Sequence, residues 1–110
     1  MKINQENKNG IEIFSIKGSV DLNTSEEFKT LINASLEKSQ KKLILNLEDM
    51  DYITSEGIAI ILQATKNFKR RNGNVVLCAL QDFVKEIFKL VHVDEYLNIE
   101  NNLETALKII

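Results

Sequence analysis

Hydrophobic positions along the chain fall into two kinds of segment, short apolar runs and longer stretches with helical spacing. Two near-continuous apolar runs, residues 42–47 and 75–80, predict strands that are covered on both faces, as in a parallel sheet. Residues 11–17 predict an earlier strand that ends at Gly18. Residues 2–6 are expected to pair with that strand as a short edge strand.

Helical periodicity lies between the apolar runs. Residues 25–38 and 56–70 carry apolar side chains at spacings of three and four, which is typical of helices that bury one face. Thr24 and Glu27 have the spacing of a capping box, in which two side chains satisfy free backbone N–H groups at a helix start. The Asn-Gly pair at 72–73 predicts the end of the second helix.

The last third of the chain predicts three more elements. Asp82 is expected to cap a shorter helix, residues 96–99 to form a short strand, and Asn101 or Asn102 to cap a final helix. Strands that alternate with helices indicate an α/β fold with right-handed crossovers. We therefore predict one domain over residues 1–110, with a mixed, mainly parallel sheet of four to five strands packed by about four helices.

Composition and charge narrow the class of partner. A chain of 110 residues that is 44% hydrophobic can form the core of one domain. The net charge of -2, without a basic stripe, argues against nucleic acid and membrane surfaces as partners. We find no signal peptide and no apolar run near the roughly 20 residues of a spanning helix. The single cysteine, Cys78, suits a reducing compartment, so we expect a cytoplasmic protein.

The most informative stretch is residues 46–58, where a buried strand leads through a loop to a helix start. The loop delivers Thr54 and Ser55 to the helix N-terminus, which exposes unpaired N–H groups and a partial positive charge. A hydroxyl there can cap the helix, and a phosphorylated hydroxyl can bind the same N–H groups. Gly57 lacks a side chain, which we interpret as room for another backbone. From the residues alone, a simple N-cap and a modification site both remain open.

The same stretch resembles the STAS family, and specifically its anti-sigma factor antagonists. That family has an apolar strand with Asp-Leu, a short loop, an aromatic-apolar pair and an Asp-Ser-Ser-Gly-like helix start. Here these pieces are Asn46-Leu47, a loop over residues 48–51, Tyr52-Ile53 and Thr54-Ser55-Glu56-Gly57-Ile58. The segment 18–24, with Asp21, is similar to the family's Gly-x-x-Asp loop, and residues 103–107 resemble its closing helix. Thr54 stands where the family usually has an acidic residue, Glu56 where it often has Ser or Ala, and Asn46 where it has Asp.

The resemblance implies a bacterial partner switch rather than an enzyme. The unphosphorylated protein is expected to bind an ATP-bound anti-sigma factor serine kinase and so release a sigma factor. The kinase is expected to phosphorylate Ser55, with Thr54 as a lesser candidate, and a metal-dependent serine phosphatase to reverse the change. The expected partner-binding residues are Asp21, Asn23, Thr24, Thr54, Ser55, Glu56 and Gly57.

Other functions have weaker support in the residues. A STAS module without phosphorylation, acting as a scaffold or as a small-ligand-binding subunit of a larger complex, remains the alternative. We predict no catalytic residues, cofactor or metal, because His92 is the only histidine and Cys78 lies in a predicted core strand. The second long helix carries a basic cluster near its end, formed by Lys66, Lys69, Arg70 and Arg71. This cluster is either a solvated face of the helix or a site for an anion or a partner, and both interpretations remain open.

Overall fold

After an initial hairpin, strands and helices alternate along the chain. The computed structural model describes residues 1–38 and 41–110. Within these residues the elements, in chain order, are β1 (Lys2–Lys8), β2 (Ile11–Val20), α1 (Ser25–Glu37), β3 (Lys42–Asn46), β4 (Met50–Ile53), α2 (Ser55–Arg70), β5 (Asn74–Cys78), α3 (Asp82–Leu90), a 3-10 turn (Asp94–Tyr96), β6 (Asn98–Glu100) and α4 (Leu103–Ile109).

The strands form one mixed sheet in the order β1-β2-β3-β5-β6, and β4 pairs with the end of β2. Strand β1 is antiparallel to β2, and the other pairs are parallel. In the centre of the sheet Ile13 lies beside Ile44, which lies beside Val76. The predicted α/β class with a mainly parallel sheet is confirmed.

Two apolar cores cover the two faces of the sheet. Helices α1, α2 and α3 pack on one face, where Phe28, Ile61 and Phe88 meet strand residues such as Leu45. Helix α4 packs on the other face, where Ala106 belongs to a smaller cluster with Ile13, Ile44, Val76 and Cys78. Because β3 and β5 are buried on both faces, their sequences lack a polar alternation, which explains why the apolar runs predicted them correctly.

Strand β2 differs from its prediction at Gly18. The strand continues to Val20, because Gly18 adopts a left-handed φ of 93° and the pairing with β4 shifts register between Gly18 and Ser19. The loop predicted over residues 48–51 is also partly wrong, because β4 begins at Met50. Both corrections concern one feature, an extension of the sheet that carries the chain from β2 and β4 toward the start of α2.

Three predicted caps have different outcomes. Asn102 caps α4, since its side chain accepts a hydrogen bond from the Thr105 N–H at 2.8 Å. The capping box of Thr24 is wrong, because Thr24 lies in a helical backbone conformation and makes no side-chain cap bond. The cap at Asp82 is also wrong, since Asp82 is the first residue of α3 and the preceding Gln81 occupies the cap position.

Helix α2 ends at Arg70, close to its predicted end, and the Asn-Gly pair then turns the chain into β5. Asn72 has a left-handed φ of 60°, and the Gly73 N–H donates to the carbonyl oxygen of Phe68 at 2.7 Å. A Cβ at Gly73 would lie 2.4 Å from the carbonyl oxygen of Lys41, so only glycine fits where these two backbone segments approach each other. Over the described ranges 1–38 and 41–110, no helix is both long and apolar enough to cross a membrane.

Candidate functional site

Ser55 is the first residue of α2, and its side chain is exposed. The preceding Thr54 is the N-cap, with extended backbone angles, and its hydroxyl oxygen accepts a hydrogen bond from the Gly57 N–H at 3.2 Å. Among the residues that the structure describes, the Ser55 hydroxyl has no hydrogen-bond partner. The two adjacent hydroxyls therefore differ, because that of Thr54 caps the helix and that of Ser55 is free to react.

The loop after β2 lies directly beside the start of α2. Val20 and Ile53 are paired in the β2–β4 ladder, and the Thr54 N–H donates to the Val20 carbonyl oxygen at 3.0 Å. Asp21 and Thr54 therefore leave the sheet side by side. The structure thus brings together the two segments that the sequence singled out separately.

Hydrogen bonds fix the shape of the loop from Asp21 to Thr24. A carboxylate oxygen of Asp21 accepts from the N–H groups of Asn23 at 2.9 Å and Thr24 at 3.2 Å. The Thr24 hydroxyl donates to the Ser19 carbonyl oxygen and accepts from the Asp21 N–H, both at 2.9 Å. The polar groups of Asp21 and Thr24 thus hold the loop, and Leu22 at its tip is 82% exposed.

An aromatic pair joins β4, the strand that leads to Ser55, to α3. Tyr52 of β4 and Phe83 of α3 stack with ring centroids 6.4 Å apart, and they are 41% and 62% exposed. The start of α3 is tied to the site because the Gln81 side-chain amide donates to the Glu48 carbonyl oxygen at 2.9 Å. Sequence reasoning missed Leu22 and Phe83. The available indication was that Phe83 is out of phase with Val84 and Phe88, the buried positions of its helix.

Gly57 serves the inside of the domain. It is buried, and a Cβ there would lie 2.7 Å from Cγ1 of Ile53 and 2.9 Å from Cγ1 of Val20. The interpretation of Gly57 as room for another backbone is therefore wrong, because the domain's own core fills that space. The glycine lets the first turn of α2 sit closely on the ends of β2 and β4.

The surroundings of Ser55 are acidic. Two of the segments that form the site, residues 18–27 and 48–57, contain no lysine, arginine or histidine. Seven carboxylates lie in the same two segments, namely Asp21, Glu26, Glu27, Glu48, Asp49, Asp51 and Glu56. The Ser19 hydroxyl donates to one of them, Asp51, at 2.6 Å. A negative group added at Ser55 would therefore meet helix N–H groups but no cation from these segments.

Two other residues considered from the sequence lie outside this site. Cys78 is fully buried in the smaller core, and burial, with the nearby charge of Glu48, raises the pKa of its thiol to about 11. His92 is exposed in the turn that follows α3, with a left-handed φ of 57°. In the described part of the chain, no three His, Cys, Asp or Glu side chains are grouped so that they could hold a metal ion.

Two sequence relatives and one solved structure, all from bacteria, illustrate what the chain is similar to. BtrV of Bordetella bronchiseptica is 27% identical over 106 residues, which cover 96% of this chain and 91% of that protein. The anti-sigma-B factor antagonist of Listeria monocytogenes is 24% identical over 101 residues, covering 92% and 88%. The phosphorylated form of SpoIIAA, a cell fate determinant of Bacillus, superposes with a TM-score of 0.74 at 15% identity, covering 97% of both chains.

The family assignment rests on nearly the whole chain. The sequence profile of the STAS domain matches residues 2–106, which include every strand, both loops of the site and most of α4. The observed element order and the position of Ser55 at a helix start agree with the resemblance seen in the sequence. The chain therefore belongs to the STAS domain family.

Proposed function

We propose that this protein is an anti-sigma factor antagonist whose binding to an anti-sigma factor serine kinase is switched off by phosphorylation of Ser55. The observation that carries the proposal is the exposed Ser55 hydroxyl, free beside a threonine that has taken over the capping role. The names of the sequence relatives support the antagonist role. The phosphorylated state of SpoIIAA shows that a protein of this fold carries a phosphate.

The chemistry of the modification suits Ser55 better than Thr54. In the proposed step the Ser55 hydroxyl oxygen attacks the γ-phosphorus of ATP held by the kinase. The bond to the leaving ADP breaks, and the hydroxyl proton passes to a base on the kinase. The Thr54 oxygen is engaged by the Gly57 N–H and its side chain is half-buried, so reaction there would first have to break the cap.

Exposed apolar side chains flank Ser55 and are suited to anchor the kinase. Leu22 projects from the loop after β2, and Tyr52, three residues before Ser55, stacks on Phe83 of α3. Interfaces of this kind combine a few apolar or aromatic anchors with a polar rim. In our proposal Asn23 and Glu56 belong to the rim, because both are exposed.

The remaining predicted contact residues act mainly through the shape of the site. The side chains of Asp21 and Thr24 hold the loop that presents Leu22, and Thr54 caps the helix that presents Ser55. Gly57 lets that helix pack on Val20 and Ile53. We expect substitutions at these four positions to disturb binding by moving the surface.

Phosphorylation would change the interface far more than the fold. A phosphoserine adds close to two negative charges, and in the free protein the N–H groups of the α2 start can bind its oxygens. On docking, the phosphate would be buried among carboxylates such as Asp51 and Glu56, without a lysine or arginine from the site segments. An unpaired buried charge costs several kcal/mol, and about 1.4 kcal/mol is already tenfold in affinity. One phosphate is therefore sufficient for the switch.

The proposed cycle needs two partners and no cofactor of its own. The kinase, released from the phosphorylated antagonist, would bind its sigma factor again. A metal-dependent serine phosphatase would remove the phosphate. Its active site can reach the phosphate because the Ser55 side chain is exposed. We expect this cycle to take place in the cytoplasm, where kinase and sigma factor meet.

Intact-mass analysis after incubation with the anti-sigma serine kinase of the same organism and ATP tests the site of modification. Wild-type protein should gain one phosphate, and Ser55→Ala should gain none. Thr54→Asn is the matched control, because asparagine keeps a helix cap without a hydroxyl and should leave the phosphate on Ser55. Phosphate retained by Ser55→Ala would move the site elsewhere. An unmodified wild type that still binds the kinase would favour the scaffold function without phosphorylation.

A further inference from the structure

A groove far from Ser55 lies between α2 and the turn after α3. Its volume is about 380 Å³, within the range of small-molecule sites. Helix α2 lines it with side chains at spacings of three and four, which form one stripe, and the turn adds an aliphatic and an aromatic side chain. The lining residues are Leu62, Thr65, Lys66, Lys69, Val93 and Tyr96.

The groove combines an apolar lining with charge of one sign. Leu62, Val93 and the ring of Tyr96 supply apolar surface, and the two charged lining residues, Lys66 and Lys69, are both cations. Among the residues that the structure describes, neither lysine has a carboxylate within ion-pair distance. These lysines belong to the basic cluster for which the sequence left anion binding open.

We propose that this groove binds a free, small amphipathic carboxylate. Its apolar tail would lie along Leu62, Val93 and Tyr96, and its carboxylate would be held by the ammonium groups of Lys66 and Lys69. Leu62 is about 10 Å and Lys69 about 21 Å along the helix axis from Ser55, at 1.5 Å per residue. A ligand here would leave Ser55 uncovered, so the site is independent of the phosphorylation proposed above.

Titration with octanoate, followed by two-dimensional amide NMR, tests the site. We expect saturable shifts concentrated at the groove residues. Lys66→Gln with Lys69→Gln should weaken octanoate binding about five- to tenfold, because each exposed ion pair contributes little by itself. Lys29→Gln with Lys38→Gln is the matched control, since both lysines are exposed on or next to α1, and it should bind as wild type does. Tyr96→Ala, at a 69% exposed position, should also weaken binding without affecting the fold.

Two further probes separate this ligand from other occupants. Octylammonium has the same tail with the opposite charge and should bind at least about fivefold more weakly. The protein should not co-sediment with vesicles of phosphatidylglycerol, because a concave groove of this size does not fit a membrane surface. The proposal would be overturned if both octyl probes bound equally or if the double lysine variant bound octanoate as strongly as the wild type. Shifts that do not saturate, or binding to vesicles alone, would also overturn it.

Discussion

The backbone N–H of Thr54 donates to the carbonyl oxygen of Val20 at 3.0 Å, one step beyond the point where β2 and β4 are paired. This bond joins two loops that are more than thirty residues apart in sequence. It places the rigid Asp21 loop next to the α2 start, so that Leu22 and Ser55 belong to one surface. The end of the sheet therefore fixes the distance between the two parts of the site, the Asp21 loop and the start of α2.

The division of work between Thr54 and Ser55 predicts different stability effects. Thr54→Ala removes the hydroxyl that accepts from the Gly57 N–H and should lower the free energy of unfolding by about 1 kcal/mol. Ser55→Ala removes a free, exposed hydroxyl and should change it by less than about 0.5 kcal/mol. Urea denaturation of both variants provides the measurement. A larger loss for Ser55→Ala than for Thr54→Ala would assign the cap to Ser55.

Gly57→Ala tests the internal role of the glycine. Alanine in a helix normally gains about 0.5–1 kcal/mol over glycine. Here its Cβ would meet Cγ1 of Ile53 at 2.7 Å, so we expect a net loss of about 1–3 kcal/mol from overpacking. Thermal or urea unfolding gives the sign directly. A stabilised variant would mean that the space is open and that the earlier interpretation of Gly57 was right.

The anchor side chains should matter for binding and not for folding. Leu22→Ala and Phe83→Ala should each weaken binding to the kinase by about tenfold or more, since each removes exposed apolar surface beside Ser55. Leu90→Ala is the matched control, because Leu90 is 75% exposed at the far end of the same helix as Phe83. Calorimetric titration measures all three. Similar losses for Leu90→Ala would place the interface elsewhere.

Cys78 should make the fold sensitive to alkaline pH. Its thiol has a pKa of about 11 in the folded protein instead of 9.0, so the unfolded chain loses the proton first. The stabilising contribution is complete below pH 9 and is lost as the pH rises through 11, by about 3 kcal/mol in total. The Cys78→Ala variant has no thiol at this position, so its free energy of unfolding should lack this part of the alkaline decrease. The unfolding free energy of the wild type relative to that of Cys78→Ala should fall as the pH rises from 9 to 11; a constant difference would contradict this prediction.

Much of the fold could be predicted because its central strands are buried on both faces. The runs at 42–47 and 75–80 are apolar throughout for that reason, and they identified β3 and β5. Strand β4 was missed because Asp51 and Tyr52 are consecutive exposed residues, which breaks the alternation that indicates a strand. Final strand β6 lies at Asn98–Glu100, displaced by the preceding 3-10 turn from the predicted 96–99.

The site was predictable only where its chemistry is local. Thr54 and Ser55 could be placed at a helix start because a strand, a loop and a helical pattern follow one another there. The exposure of Leu22 and the stacking of Tyr52 on Phe83 depend on contacts between distant segments, which sequence spacing does not record. The cap at Thr24 failed for a related reason, since its hydroxyl bonds to the backbone of Ser19 and Asp21 instead of the helix.

The most direct test compares the affinity of the anti-sigma serine kinase for the unmodified protein and for the same protein phosphorylated at Ser55. Isothermal titration calorimetry should give a Kd at least about 100-fold weaker for the phosphorylated form, with an unchanged circular dichroism spectrum. Ser55→Ala should bind as the unmodified protein does. Equal affinities of the phosphorylated and unmodified forms would contradict the switch at Ser55.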